Sequence, residues 1–193
     1  MSRRFVSSGM LSDPSGHLFI ECKTKRLTTN AKTLSDTLAL EKDLAVMATA
    51  ITQHYRNICD ALAGRTKWIP DGLPIYPIIL TLEDWFILSP EVDQMLIGRV
   101  KNLLSDAGIP LRVLVDMPFT IASANEFEIA AQVIGKVGIA PLMAKKTEAE
   151  EPRSWSLSLF VANKFAAEMQ NIDWRLFSEE WERLIPANPD AAI

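Results

Sequence analysis

The sequence predicts an α/β domain, a mixed central sheet flanked by helices, with a small helical tail at its C-terminal end. Three observations carry that prediction. Residues 5–12 and 17–23 flank Asp13-Pro14-Ser15-Gly16. Asp first, Pro second and Gly fourth is type I turn chemistry, so the two flanking segments pair as a hairpin. Leu40, Leu44, Met47, Ile51, Tyr55, Ile58 and Leu62 then recur at steps of three and four, the spacing of one helix face. Ile75-Tyr-Pro-Ile-Ile-Leu-Thr-Leu82 reads as a buried strand, with Pro77 tolerable near its start. Hairpin, helix and buried strand in that order imply layers packed on a sheet.

If residues 12 and 17 pair across the turn, Glu21 lies opposite Ser8 and Lys23 opposite Val6. Ser35 or Asp36 supplies a cap for the long helix, and Gly64 ends it. A second helix is predicted over 91–107, with Val92, Leu96, Val100 and Leu104 on one side. Leu111–Val115 reads as a short strand, Phe119–Ile121 as another, and 124–136 as a helix. From Ala144 the composition changes, and Lys145–Pro152 is charged and poor in apolar residues, the pattern of a surface loop or linker. The expected organisation is therefore a core over 1–143, a charged linker over 144–153 and a partly helical tail over 154–193. Trp155, Trp174 and Trp181 are the tail's expected docking anchors.

A chain of 193 residues, 48% hydrophobic and 23% charged, has the size and balance of one globular domain. Its net charge of −4 excludes a uniformly cationic nucleic-acid binder. The charge is uneven. Residues 1–32 hold Arg3, Arg4, Lys23, Lys25, Arg26 and Lys32 against Asp13 and Glu21, a net +4, which leaves −8 elsewhere. Any polyanion would be met by that basic end. Cys22 and Cys59 make neither a disulfide framework nor a metal cluster. No apolar run has the length of a membrane span and no signal-peptide core is present, so a cytoplasmic location without a membrane partner is the expectation. Phosphate loops of the Walker or dinucleotide type, zinc spacings and a Gly-x-Ser-x-Gly elbow are absent from the sequence.

The segment that carries chemistry is Glu21-Cys22-Lys23. Along a strand side chains alternate, so Phe19, Glu21 and Lys23 share one face, while Leu18, Ile20 and Cys22 share the other. Cys22 is thus expected to point into the core. Burying either charge alone is costly, so the acid and the lysine need a partner. A metal ion is one such partner, with Glu21 as ligand and Lys23 holding a water or an oxyanion beside it.

A hairpin whose second strand ends in Glu-x-Lys, followed by a helix and a buried strand, resembles the PD-(D/E)XK, or restriction-endonuclease-like, nuclease superfamily. Leu18-Phe19-Ile20-Glu21-Cys22-Lys23-Thr24 is similar to the motif strand of that family, and the resemblance spans residues 5–135. It implies a restriction-endonuclease-like core and a phosphodiesterase acting on DNA with Mg²⁺ or Mn²⁺. Glu21 would then bind the metal, and Lys23 would orient the attacking water. Lys25, Arg26, Arg3 and Arg4 would contact phosphates, an attraction that weakens with salt. The sequence departs from the family pattern on the preceding strand. There a metal-binding Asp is expected, and Val6-Ser7-Ser8-Gly9 holds no carboxylate. Asp13 is a turn residue at the hairpin tip. Glu41, bordering the apolar helix stripe, is the nearest substitute. His54 also borders that stripe and reads as a satisfied structural histidine, while Gln53 and Tyr55 lie on different faces. The family normally begins with a helix before the hairpin, so the resemblance implies a shortened or N-terminally incomplete member. The missing acid predicts weak or absent cleavage. Two alternatives stay open, a non-catalytic nuclease-fold protein that binds nucleic acid or serves in an assembly, and a purely structural ion pair. An oligomer is compatible with either.

Overall fold

In the computed structural model of the protein, residues 8–24, 37–85 and 90–173 are described. Strands β1 (Ser8–Asp13) and β2 (Gly16–Lys23) form the predicted antiparallel hairpin in the predicted register, with Ser12 opposite His17 and Ser8 opposite Glu21. Asp13 closes the turn. Its Oδ1 accepts from the Ser15 amide at 2.7 Å, the Ser15 hydroxyl at 2.6 Å and the Gly16 amide at 3.1 Å. A long helix, α1 (Thr37–Leu62), leads to β3 (Ile75–Thr81), which lies parallel to β2. Helix α2 (Pro90–Asp106) and the short α3 (Val113–Asp116) then lead to β4 (Thr120–Ser123), parallel to β3. The sheet order is β1-β2-β3-β4, antiparallel at the hairpin and parallel elsewhere.

Two successive parallel crossovers that step in one direction across a sheet put their helices on the same face, because such connections are right-handed. Helices α1 and α2 accordingly share one core with Ile79 and Ile121, built on Leu44, Ile51, Tyr55, Leu96 and Val100. The chain next forms α4 (Ala124–Val137), α5 (Ile139–Glu148), α6 (Glu150–Ser154) and α7 (Leu157–Lys164). A second core joins Leu18, Tyr76, Ile78 and Ala122 to Val133, Leu142 and Phe160 on the opposite face. Strand β3, buried along almost its whole length, is the shared wall.

The long helix follows its predicted stripe from Leu40 to Ile58, all buried, although Leu62 is exposed and Ala61 takes the last buried position. Gly64, at φ +70°, ends it as predicted. The Arg65 amide reaches the Asp60 carbonyl at 2.9 Å and the Gly64 amide reaches Ala61 at 3.0 Å, the paired bonds of a Schellman cap.

Two expectations are corrected. Residues 111–115 form no strand. The chain turns through 111–112 and winds into α3, where Leu111 and Val115 are exposed and Arg112 pairs with Asp116 at 3.0 Å. Val113 and Leu114 pack against the core from this helical turn while Leu111 and Val115 stay exposed, so the segment meets no covered pleated surface along its length. Residues 144–153, read as a loop or linker, lie mostly within α5 and α6. Ile139, Leu142, Met143, Lys146 and Thr147 are all buried, a helical spacing in which a lysine and a threonine hold core positions.

The hairpin tip also caps α5. The Asp13 Oδ2 accepts from the Ile139 amide at 2.7 Å and the Ser15 hydroxyl from the Ala140 amide at 2.9 Å. Burial works to raise the Asp13 pKa, but the hydrogen bonds from Ser15, Ile139 and Gly16 outweigh it and hold the carboxyl below its ordinary value. Gly138, at φ +93°, brings the helix start this close, and a Cβ there would meet the Ser15 hydroxyl at 3.0 Å. Among the described residues no single helix is long and apolar enough to cross a membrane.

Candidate functional site

Strand β2 enters the sheet apolar on one face and mixed on the other. His17, Phe19, Glu21 and Lys23 look toward α1, and Glu21 and Lys23 stand beside Ile79 and Thr81 of β3. The pair therefore sits at the C-terminal ends of parallel strands, where open α/β sheets carry their ligands. Glu21 is wholly buried, and Lys23, with 33% of its side chain exposed, donates to its Oε1 at 2.6 Å. The ammonium supplies the counter-charge that lets a carboxylate be buried here. In the same row, Thr81 donates to the Glu83 carbonyl at 2.7 Å. Ser123 caps α4 in a capping box with Glu126. These two hydroxyls are committed to backbone.

Ser8, directly across from Glu21, brings no carboxylate to it. Asp13 is engaged at the tip, five pairs away. Glu41, the expected substitute, faces Arg99 of α2 at 3.6 Å with 44% of its side chain exposed. No group of three or more His, Cys, Asp or Glu side chains poised to hold an ion occurs among the described residues. Arg3, Arg4, Lys25 and Arg26, the predicted phosphate contacts, lie outside the described residues, as do Val6, Ser35, Asp36, Trp174 and Trp181. Cys22, expected in the core, is exposed. Its face is fully covered at Leu18, partly at Ile20 and not at Cys22, so the helical cover thins toward the strand end. Partial burial, aided by the Glu21 charge and opposed by Lys23, still pushes the Cys22 thiol up.

His54 differs from its expected role. It is 1% exposed, and its Nε2 lies 2.9 Å from the Phe19 carbonyl oxygen, two residues before Glu21. Its Nδ1 is buried with no hydrogen-bond partner, the only such side-chain nitrogen or oxygen among the described residues. Burial is the main force lowering the His54 pKa, with the Phe19 bond and the Glu21 charge opposing it. The sequence carried a signal for this residue. Ile51, His54 and Ile58 step by three and four, which puts the histidine in the buried seam itself and not on its border. Asp43, three residues after Leu40 and four before Met47, is buried on the same logic.

His17 serves the scaffold. Its Nδ1 meets the Ser12 hydroxyl at 2.7 Å and its Nε2 the Asp71 carboxylate at 2.9 Å. The edge-on contacts of Trp68 with His17 and Phe19, at 5.3 and 5.2 Å, complete the attachment of the 65–74 segment to the hairpin. The bond from His17 is also the first cause of the lowered Asp71 pKa. Comparison with protein-family models, with curated proteins and with solved structures gives no match.

Proposed function

We propose that this chain is a nuclease-like phosphodiesterase of the PD-(D/E)XK type that acts on DNA, with Glu21 and Lys23 as its acting pair. One observation carries the reading. A wholly buried carboxylate and a partly exposed ammonium lie 2.6 Å apart at the C-terminal end of the second hairpin strand, which runs parallel to β3 and precedes a helical crossover. That order of elements supports the resemblance read from the motif strand.

The donor chemistry fits a divalent cation that keeps several of its waters. Mg²⁺ is commonly held through only one or two carboxylates, with water and substrate phosphate supplying the rest. Glu21 would hold it. When bound, such an ion supplies Lewis-acid polarisation of a phosphoryl oxygen and lowers the pKa of a bound water. The residues of the chain have separate tasks. Burial of Glu21 removes competing solvent from its carboxylate. Lys23 reaches from that carboxylate to solvent, where its ammonium can neutralise charge that develops on a phosphoryl oxygen and orient the attacking water. The basic residues Arg3, Arg4, Lys25 and Arg26 would hold the DNA backbone.

The test is incubation with plasmid and linear DNA in Mg²⁺ or Mn²⁺. Cleavage is expected to be slow and to vanish in Glu21→Ala and Lys23→Ala, and cleavage that survives both substitutions sinks the assignment. The position opposite Glu21, serine where an acid is expected, favours a second reading, a nuclease-fold protein that binds nucleic acid without cutting it. Retained DNA binding with calorimetric silence across millimolar metal would select that reading.

A further inference from the structure

We infer that His54 is the second protein ligand of the cation proposed at Glu21, supplied by α1 in place of the acid that β1 lacks. The inference rests on the reading of Glu21 given above.

A backbone carbonyl can only accept a hydrogen bond, so the 2.9 Å contact with Phe19 requires the proton on His54 Nε2. In the neutral ring the lone pair is then on Nδ1. That atom is buried and meets no donor. A buried acceptor left unsatisfied costs about 1–3 kcal/mol, so a group retained in this state is one that something else completes. The wiring is that of metal-binding histidines, which donate their other ring N–H to a carboxylate or a backbone carbonyl and so present one nitrogen to the ion.

The fold brings this nitrogen to the right neighbourhood. Phe19 and Glu21 share one face of β2, two residues and roughly 6.7 Å apart along the strand. A ring pinned to the Phe19 carbonyl is therefore held against the strand two residues from Glu21. Phe19 and His54 also line a cleft of about 410 Å³ with Trp68 and Asn57. An imidazole nitrogen joined to a carboxylate oxygen is a poorer match for Mg²⁺, which prefers all-oxygen shells, than for a transition ion such as Mn²⁺. The site should therefore take Mn²⁺ in preference to Mg²⁺.

The experiment is a calorimetric Mn²⁺ titration of the full chain, repeated on His54→Gln and Glu21→Gln, with circular dichroism to establish that each variant is folded. In parallel, paramagnetic broadening of the two histidine ring signals is followed by NMR in the unsubstituted protein, with His17 as the internal reference. One Mn²⁺ bound, weakened roughly tenfold or more by either substitution, with His54 broadened before His17, is the expected result. Binding that falls in Glu21→Gln but is unchanged in His54→Gln, or that leaves the His54 signals sharp, overturns this inference and spares the Glu21 reading. If a variant does not fold, the NMR outcome alone decides on His54. Binding untouched by Glu21→Gln, or none at millimolar Mn²⁺, removes both.

Discussion

The two faces of the sheet are made by the same strands and have little else in common. Toward α4, α5 and α7 the strands present Leu18, Ile20, Tyr76, Ile78, Leu80 and Ala122, a largely apolar surface. Toward α1 and α2 they present Ile79 and Ile121 in the middle, with His17, Glu21, Lys23, Thr81 and Ser123 distributed around them. Because side chains alternate, β2 contributes an anchor to one face and an ion pair to the other from adjacent residues. The difference separates two tasks. The apolar face holds the fold together, and the mixed face holds groups whose burial works against stability and needs another explanation.

That separation can be broken or sharpened by substitution. Phe160 is fully buried against the apolar face, and Phe160→Ala should cost about 3–5 kcal/mol in urea denaturation. Cation affinity in the folded fraction should be unchanged, and a parallel loss of affinity would mean that the faces are not independent. Lys146 is the exception on the apolar side. It donates to the Arg153 carbonyl at 2.9 Å, and burial, reinforced by Arg153 and opposed by Glu126, lowers its pKa to about 8. Between that value and the ordinary 10.5 the unfolded chain keeps a proton that the folded one has shed. The unfolded state then binds more protons, so stability from this group rises with pH through the window, by up to roughly 3 kcal/mol, and is lowest below it. Denaturation midpoints of the protein and of Lys146→Met at pH 7.5 and 9.5 should converge as pH rises. A constant difference between them would refute the buried-lysine account.

The smallest effect is expected at the ion pair. Lys23→Met removes one donor from the Glu21 carboxylate, and because Lys23 is one-third exposed water can replace part of it. A cost of about 1–2 kcal/mol is expected, toward the low end for a hydrogen bond to a charged group. Adding Glu21→Gln to that variant should recover part of the loss, and a double-mutant cycle would measure the coupling. Additive effects would show that the two side chains are independent despite their contact.

What was legible in the sequence depended on whether a local rule and the tertiary environment agreed. At Asp13-Pro14-Ser15-Gly16 the turn chemistry and the alternation of the flanking strands pointed the same way, and the register followed down to Ser8 opposite Glu21. The stripe from Leu40 to Ile58 was readable for the same reason. Leu111–Val115 failed because β propensity describes fitness for a covered pleated surface, and no such cover reaches Val115. Lys145–Glu148 failed because Lys146 and Thr147 look like surface residues until the helix places them inward. Of the candidate site, Glu21 and Lys23 could be picked out from alternation. His54 could not be given its role, because an orphaned Nδ1 depends on a carbonyl 35 residues earlier in the chain.

The cap that the hairpin tip provides for α5 has a consequence for how the chain assembles. The turn itself closes a loop of a few residues, whereas the bond from Ile139 to Asp13 spans 126 positions. Closure entropy grows by roughly 0.6 kcal/mol for each doubling of a loop, so five doublings set this contact at a disadvantage of about 3 kcal/mol relative to the turn. The hairpin can therefore nucleate alone, but its tip is secured only when the polypeptide has been synthesised beyond residue 139 and the helical layer has folded back. Docking of α5 is in this sense a late, long-range step that couples the strand bearing Glu21 to the completion of the rest of the sheet's cover.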